Sequence, residues 1–162
     1  MKKVEHGKTF DRNAANPPAF EIFHNTVTEG YPEHWHTAIE IIMPTRGEYE
    51  VVVGKDSYNL KEGDIIMINS GVVHGMRFVS QGERIVMLVE PGCVENQEEM
   101  ETIFLRLPAI YFKKEDEEDP FYLFLRSQIL ELVREYDNEG AVMTHRICTG
   151  LKELFSEFGR KG

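Results

Sequence analysis

The sequence is poor in cysteine and has no long apolar run. Its two cysteines, Cys93 and Cys148, lie far apart and neither belongs to a C-x-x-C pair. No disulfide framework is therefore predicted, and reduced thiols in a cytoplasm are expected. No stretch reaches about 18 consecutive apolar residues, and no apolar run follows the lysines near the amino terminus. We expect a cytoplasmic protein that is neither secreted nor membrane-spanning.

Positive charge is also scarce. The chain has 18 Lys and Arg residues against 28 Asp and Glu residues, a formal net charge of −10. Such a charge repels phosphate backbones, so this chain by itself is not expected to contact nucleic acid. The sequence also has no nucleophile elbow and no glycine-rich phosphate loop. Any enzymatic interpretation would have to depend on a bound metal.

Residues 20 to 90 contain many short apolar runs separated by turn residues. Runs of this kind with no helical pattern between them predict an antiparallel sandwich or small β-barrel. Gly54 and Asp56 fit the turn of a hairpin. The runs are "FEIFH", "IEIIM", "YEVVV", "SYNL", "DIIMI", "GMRFV" and "RIVMLVE".

A helical pattern replaces the strand pattern towards the carboxy terminus. Apolar residues recur at helical intervals from Pro120 to Tyr136, with Asp119 as the expected N-cap, and again from Val142 to Phe158. The short "NEG" between them predicts a helical hairpin. The two apolar stripes favour core packing, and we also expect them to contribute to a homodimer. The acidic run at 113–119 is predicted to be a solvated loop.

Four residues suggest a metal site. His34 and His36 share a face if they lie on one strand, and Glu40 reaches the same point only if the chain bends near residues 37 and 38. His74 follows a later turn and faces them if both strands belong to one barrel. Three imidazoles and one carboxylate suit Zn, Fe, Mn, Ni or Cu, and the set does not choose among these. The alternative is a metal-free pocket in which Glu40 binds a small polar effector.

The spacing of these residues resembles the two motifs of the cupin superfamily, which implies a double-stranded β-helix that holds a metal with three His and one Glu. Thr28, Asn69 and Phe78 depart from the usual glycine, proline and asparagine of those motifs. All four ligand positions are retained. The matching order is His34-x-His36-x3-Glu40-x6-Gly47, followed by Gly63-x5-Asn69-x-Gly71-x2-His74.

A narrower resemblance covers roughly residues 20 to 90. The segment from "HWHTAIEIIMPTRGEYE" to "INSGVVH" is similar to the amino-terminal effector domain of AraC-type transcription regulators. The resemblance implies an arm at 1–19, a barrel at 20–92 and a helical dimerisation and linker segment at 93–162. It also implies DNA contact only through a carboxy-terminal domain absent from this chain.

The favoured hypothesis is a small-molecule-sensing, dimerising domain of such a regulator, with a small polar effector in the barrel and possibly a divalent metal at His34, His36, Glu40 and His74. The alternative is a free-standing metal-dependent cupin enzyme, an oxygenase or isomerase. Trp35 is expected to point away from the cluster and pack against a helix. His24 and His145 are expected to be surface or packing residues. Arg46 and Arg77 are expected to be solvated at a turn and a strand edge, and the alternative is that they bind an anionic effector.

Overall fold

The protein was analysed as a computed structural model that describes residues 20–26, 30–93, 107–116, 118–137, 146, 149–153 and 156–157. In these residues the chain forms nine strands, two short 3-10 turns and one long helix, α1 (Pro120–Asp137). The strands are β1 (Phe20–Asn25), β2 (Tyr31–His34), β3 (Ile39–Arg46), β4 (Tyr49–Val53), β5 (Asp56–Leu60), β6 (Ile65–Ile68), β7 (His74–Phe78), β8 (Glu83–Val89) and β9 (Ala109–Phe112).

The strands form two antiparallel sheets. One has five strands in the order β1-β8-β3-β6-β9, and the other has four in the order β2-β7-β4-β5. Neighbours in sequence often lie in different sheets, so the chain repeatedly crosses between the two layers, as in a jelly roll. The predicted cupin fold, mostly β with carboxy-terminal helix, is confirmed. The hairpin at Gly54 is also present, with φ of 58°.

The five-stranded sheet is buried on both faces. Along β3, Ile39 and Ile41 belong to the core beneath the helices, whereas Ile42 belongs to the core between the two sheets. Successive side chains on a strand point to opposite faces, so Glu40 shares the inner face with Ile42. The inner core also contains Val51, Leu60, Ile66 and Ile68.

Helix α1 covers the outer face of this sheet. Its first turn is capped by Asp119, whose Oδ1 accepts a hydrogen bond from the backbone N–H of Phe121 at 2.9 Å. Pro120 occupies the first helical position, where its missing N–H costs nothing. The apolar stripe packs into the core, as the sequence pattern favoured. Its buried members are Phe121, Tyr122, Leu125, Ile129 and Leu132.

A second helical segment packs on α1. Residues 149–153 are helical, and Leu151 is buried in the same core as α1. A Cβ on Gly150 would lie 2.8 Å from Leu132 Cδ2, so the two helices approach closely at this position. This arrangement fits the predicted helical hairpin. Much of the predicted second helix, the arm at 1–19 and His145 lie outside the described residues.

None of the helices in the described part of the chain has the length and apolarity needed to cross a membrane. Within the predicted acidic loop, Lys113, Lys114, Glu115 and Glu118 are exposed, as expected.

Strand β9 was not predicted from the sequence. It pairs with β6, with Ile65 opposite Phe112 and Ile68 opposite Ala109. Its four residues, "AIYF", lie in the segment that was expected to be helical. The periodicity of so short an apolar run is the same for a strand as for part of a helix. The run is identified as a strand only by its pairing with the edge of β6.

The turn at Gly63 and Asp64 joins the barrel to the carboxy-terminal segment. The buried Asp64 carboxylate accepts hydrogen bonds from Lys61 N at 3.0 Å, Tyr111 Oη at 2.7 Å and Lys114 N at 2.8 Å. The Tyr122 hydroxyl of α1 donates to Gly63 O at 2.6 Å. Gly63 has φ of 86°, which a side chain would strain. One turn therefore fixes both β9 and α1 against the barrel.

We expect Asp64→Ala to lower the free energy of unfolding by about 3 kcal/mol, because three donors would lose a charged acceptor in a buried position. Urea denaturation would measure the change. The matched control is Asp56→Ala in the exposed hairpin, for which a change within about 0.5 kcal/mol is expected. Equal effects of the two variants would contradict the role given to this turn.

Candidate metal centre

The four predicted ligands meet at one end of the barrel. His34 ends β2 and pairs with His74, which begins β7. His36 lies in the connection that follows β2, and Glu40 is the second residue of β3. Residues 37 and 38 form a bend, as the reach of Glu40 required. His36 therefore lies between β2 and a bend, whereas the sequence analysis considered His34 and His36 on one strand.

Hydrogen bonds to neighbouring loops hold this bend. The Thr37 hydroxyl donates to the Glu90 carboxylate at 2.9 to 3.0 Å, and the Ser70 hydroxyl donates to Thr37 O at 2.6 Å. The backbone N–H of Gly71 donates to His36 O at 2.9 Å. The turn before His74 thus supports the chain that carries His36 and Glu40. One set of contacts therefore fixes both the segment that carries His36 and Glu40 and the turn that precedes His74.

The ligand atoms of the four residues lie close together. One nitrogen or oxygen atom from each of His34, His36, Glu40 and His74 lies within 4.8 Å of all the others. Glu40 Oε2 lies 2.9 Å from His36 Nε2 and 2.8 Å from His74 Nε2. The last three residues are buried, whereas His34 is partly exposed at the mouth of the cluster.

Each imidazole is oriented by a backbone carbonyl close in sequence. Nδ1 lies 2.9 Å from Pro32 O in His34, 2.9 Å from Ala38 O in His36 and 2.7 Å from Val72 O in His74. A carbonyl oxygen only accepts, so each Nδ1 carries the proton and donates. The Nε2 atoms are left to face the cluster, where each offers a lone pair to a cation or carries a second proton.

The charges in the metal-free cluster depend on one another. Burial by itself would raise the pKa of Glu40, but hydrogen bonds from His36 and His74 outweigh burial and hold that pKa far below its usual range. Burial lowers the pKa of His74, but the hydrogen bond and charge of Glu40 raise it above its ordinary value. Burial lowers the pKa of His34. The site thus favours an anionic carboxylate facing positive charge.

This donor set fits a divalent transition-metal ion. Two ligands about 2.1 Å from one ion and at right angles to each other lie about 3.0 Å apart. The observed separations of 2.8 and 2.9 Å between Glu40 Oε2 and the two Nε2 atoms are close to that value. An ion would supply the positive charge that the Glu40 carboxylate otherwise takes from the hydrogen-bond donors around it. The set does not distinguish among Zn, Fe, Mn, Ni and Cu.

Two residues near the cluster were missed by the sequence analysis. The Tyr31 hydroxyl donates to Glu40 Oε1 at 2.7 Å, so both carboxylate oxygens have partners. Arg84, which is 2% exposed, lies over the Tyr31 ring at 5.6 Å from the ring centre. The burial of Arg84 could have been predicted from the alternation of side chains along β8. Arg84 falls on the same face of the strand as Val86 and Leu88, which belong to the inner core.

The remaining predicted residues are mostly structural or exposed. Trp35 is 53% exposed, so it is not part of the core, and its packing against a helix stays a prediction. His24 Nε2 lies 3.2 Å from Glu83, and the exposed Arg46 also contacts Glu83. Arg77 forms an exposed ion pair with Glu50. These surface assignments are confirmed.

The fold and the cluster together define a small antiparallel barrel with a three-histidine, one-glutamate site. Residues 25–90, less than half of the chain, match the family model described as cupin domain. No curated protein matches the sequence. The match to the family model ends before β9 and the helices.

Several solved structures are similar to all or part of this chain. A variant of apo ToxT from Vibrio cholerae is 10% identical with a TM-score of 0.54, and the alignment covers 90% of this chain and 58% of ToxT. A variant of oxalate decarboxylase from Bacillus subtilis is 18% identical with a TM-score of 0.41, covering 44% of this chain and 21% of that enzyme. A cupin-2 protein from Shewanella frigidimarina is 16% identical with a TM-score of 0.40, covering 45% and 72%.

Tyr31→Phe is expected to weaken metal binding roughly tenfold to a hundredfold, because the hydroxyl that orients Glu40 is removed while the ring remains. Competition with a chromophoric chelator would measure the dissociation constant for Zn²⁺. The control is Tyr58→Phe on β5, which removes a hydroxyl from a tyrosine outside the cluster. A Tyr31 variant that binds Zn²⁺ as tightly as the parent protein would remove this role.

Between about pH 6 and pH 8, we expect the contribution of the Glu40–His74 pair to stability to fall while metal affinity rises. The contribution of Glu40 to the stability of the metal-free protein is present above about pH 4.3 and is lost as pH falls through its depressed pKa. The contribution of His74 is present below about pH 6.5 and is lost as pH rises through its raised pKa. Metal affinity should instead rise between about pH 6 and pH 8, because the ion competes with protons.

Urea midpoints and Zn²⁺ competition across this range would test both trends, and Glu40→Gln should flatten the pH dependence of stability. The expectation fails if the metal-free parent becomes steadily more stable from about pH 6 to pH 8 in a manner that depends on Glu40.

Proposed function

We propose that this chain is the small-molecule-sensing, dimerising domain of an AraC-type transcription regulator, with a divalent metal ion at the His34, His36, Glu40 and His74 cluster. The observation that carries this proposal is the two-sided burial of β3. Its inner face supplies Glu40 to the cluster, and its outer face supplies Ile39 and Ile41 to the core beneath the helices. The metal cluster and the helices that would respond to it therefore contact opposite faces of one strand, β3.

This arrangement offers a physical route from the barrel to the helices. A ligand changes the population of a conformation only if it binds one conformation more tightly than another. A ligand that displaces Glu40 or His36 would move β3, and the interior of a close-packed core transmits such a shift rather than absorbing it. Helix α1 and Leu151 lie directly on the other side of that core. The expected output is a change in the arrangement of the helices.

The cluster would hold the metal through the Nε2 atoms of the three histidines and one oxygen of Glu40. A bound ion supplies a Lewis acid and coordination positions for an oxygen-containing effector. Four protein ligands leave up to two positions on an octahedral ion. The protein's own residues orient the donors, and His36, Glu40 and His74 are buried away from bulk water.

Dimerisation through the helical segment is part of the proposal. The stripe on α1 that was predicted from the sequence is already buried within the chain, so a second copy would pack on other residues. Leu123 of α1 is 48% exposed and is available for such a contact. The resemblance to AraC-type effector domains supports this assignment, and the likeness to ToxT spans both the barrel and the helices. DNA contact would require an attached domain.

A metal-dependent enzyme, an oxygenase or isomerase, is the second candidate. The observation in its favour is the complete ligand set, in which all four donors converge and each imidazole is held in the orientation a metal requires. An enzyme would bind substrate at the open coordination positions. It would not require any response from the helices.

The test compares metal content, oligomeric mass and helix protection in protein purified without a histidine tag. The variants are His36→Ala, which removes a ligand, and His24→Ala, which removes a histidine outside the cluster. We expect one metal per chain in the parent and in His24→Ala, and none in His36→Ala. Light scattering should give the mass of a dimer, and loading with Zn²⁺ should slow amide exchange in α1 only where the cluster is intact.

Three results would each contradict part of the proposal. The mass of a single chain at tens of micromolar would remove dimerisation. Stoichiometric metal with no change in α1, together with turnover that a chelator abolishes, would favour the enzyme. Protein that takes up no metal after Zn²⁺ titration would exclude the metal from both candidates and leave a metal-free effector pocket.

A further inference from the structure

The two oxygens of the Glu40 carboxylate have different partners. Oε2 faces the cluster and lies 2.9 Å from His36 Nε2 and 2.8 Å from His74 Nε2. Oε1 accepts a hydrogen bond from the Tyr31 hydroxyl at 2.7 Å. Because Glu40 is buried, these contacts rather than bulk water determine how the carboxylate is turned. One oxygen therefore faces the position of an ion, and the other faces a phenol.

The side chain of Tyr31 is itself held in place. Its ring packs edge-on against the imidazole of His34, with ring centres 5.1 Å apart. The guanidinium of Arg84 lies 5.6 Å from the centre of the same ring, within the range of cation-π attraction. In the backbone, Tyr31 of β2 pairs with Met76 of β7. A phenol is protonated at neutral pH, so this fixed hydroxyl donates to Oε1 of Glu40.

The hydrogen bond from Tyr31 opposes one of the two ways in which a carboxylate can bind an ion. A carboxylate coordinates an ion with one oxygen or with both. To bind with both, Glu40 would have to turn Oε1 away from Tyr31 and towards the ion. The hydroxyl would then lose a charged acceptor, and hydrogen bonds to charged groups are the stronger ones. The contact therefore favours binding through Oε2 alone.

We propose that Tyr31 is a positioning residue that restricts Glu40 to binding the metal ion through one oxygen, and that it thereby keeps room on the ion for an effector with two donor atoms. This inference rests on the proposed function, since it concerns the same metal centre. With one oxygen of Glu40 bound, the four protein ligands leave up to two positions on an octahedral ion. With both oxygens bound, at most one position is left.

The first test measures the binding mode of Glu40 by infrared difference spectroscopy of the full chain, with saturating Zn²⁺ against the metal-free protein. The separation between the antisymmetric and symmetric carboxylate stretching bands is larger when one oxygen binds a metal than when both do. We expect the larger separation in the parent protein and the smaller one in Tyr31→Phe. This variant removes the hydroxyl but keeps the ring that contacts His34 and Arg84.

Tyr111→Phe is the matched control for the infrared test. The Tyr111 hydroxyl also donates to a carboxylate at 2.7 Å, but its acceptor is Asp64, which is not a member of the cluster. This variant should lower the melting temperature, because a carboxylate loses a donor, and should leave the bands of Glu40 unchanged. A purely structural role of Tyr31 would give the same result in Tyr31→Phe, so the bands separate the two roles.

The second test counts the open positions on the ion. The chain is loaded with Co²⁺, and visible absorption follows its titration with azide, which needs one position, and with acetohydroxamate, which chelates through two oxygens. In Tyr31→Phe the dissociation constant of acetohydroxamate should rise about tenfold or more, because the second oxygen of Glu40 competes at high effective concentration. That of azide should change by less than about threefold. Metal content measured after each titration confirms that the ion is still bound.

A parent protein whose bands show both oxygens bound to Zn²⁺ would overturn the proposal, even if Tyr31→Phe did not fold. A folded, Zn²⁺-loaded Tyr31→Phe protein with the bands of the parent would also overturn it. Failure of the proposed function is distinguishable. A parent that takes up no Zn²⁺ would remove the metal centre and this inference together. A monomeric chain with no response in α1 would contradict sensing and dimerisation but leave the expected bands of Glu40 unchanged.

Discussion

The structure depends on a buried carboxylate that must be surrounded by positive charge or donors. Glu40 is 3% exposed, yet its oxygens meet two imidazoles and one phenol within 2.9 Å. Without these partners the carboxylate would be strongly disfavoured in this position. The bend at residues 37 and 38, the turn before His74 and the placement of Tyr31 all bring those partners to it. The fold therefore requires the partners of Glu40 that also form the site.

The same carboxylate lies on a strand that is buried on both faces. An inner face that carries charge and an outer face of isoleucines make β3 part of two different cores. Antiparallel sheets often leave one face to solvent, and here α1 and residues near Leu151 cover it instead. The barrel and the helices consequently share one packed layer. This shared layer is the reason that a sensing function is physically reasonable for a site so deep in the barrel.

Much of this organisation could be predicted from the sequence. The alternation and turn residues between residues 20 and 90 gave the strands, and the spacing of His34, His36, Glu40 and His74 gave the cluster, because a short local pattern determines both. Helix α1 followed from its 3.6-residue periodicity and the cap at Asp119. The predictions that failed or were missing depend on long-range contacts. Strand β9 exists because the edge of β6 accepts it. Arg84 and Tyr31 approach Glu40 only after the sheets close.

The orientation of the imidazoles determines how such a site could be transferred to another protein. Each Nδ1 donates to a carbonyl only two residues away in the sequence, so the direction of every Nε2 is specified by a tripeptide rather than by the surrounding barrel. The barrel needs to supply only the relative positions of three short segments and one carboxylate. A protein designer could graft these tripeptides onto another antiparallel scaffold with matching strand ends. The Nε2 atoms of the grafted histidines would already point in the required direction. Only the distances between the grafted segments would need to be engineered.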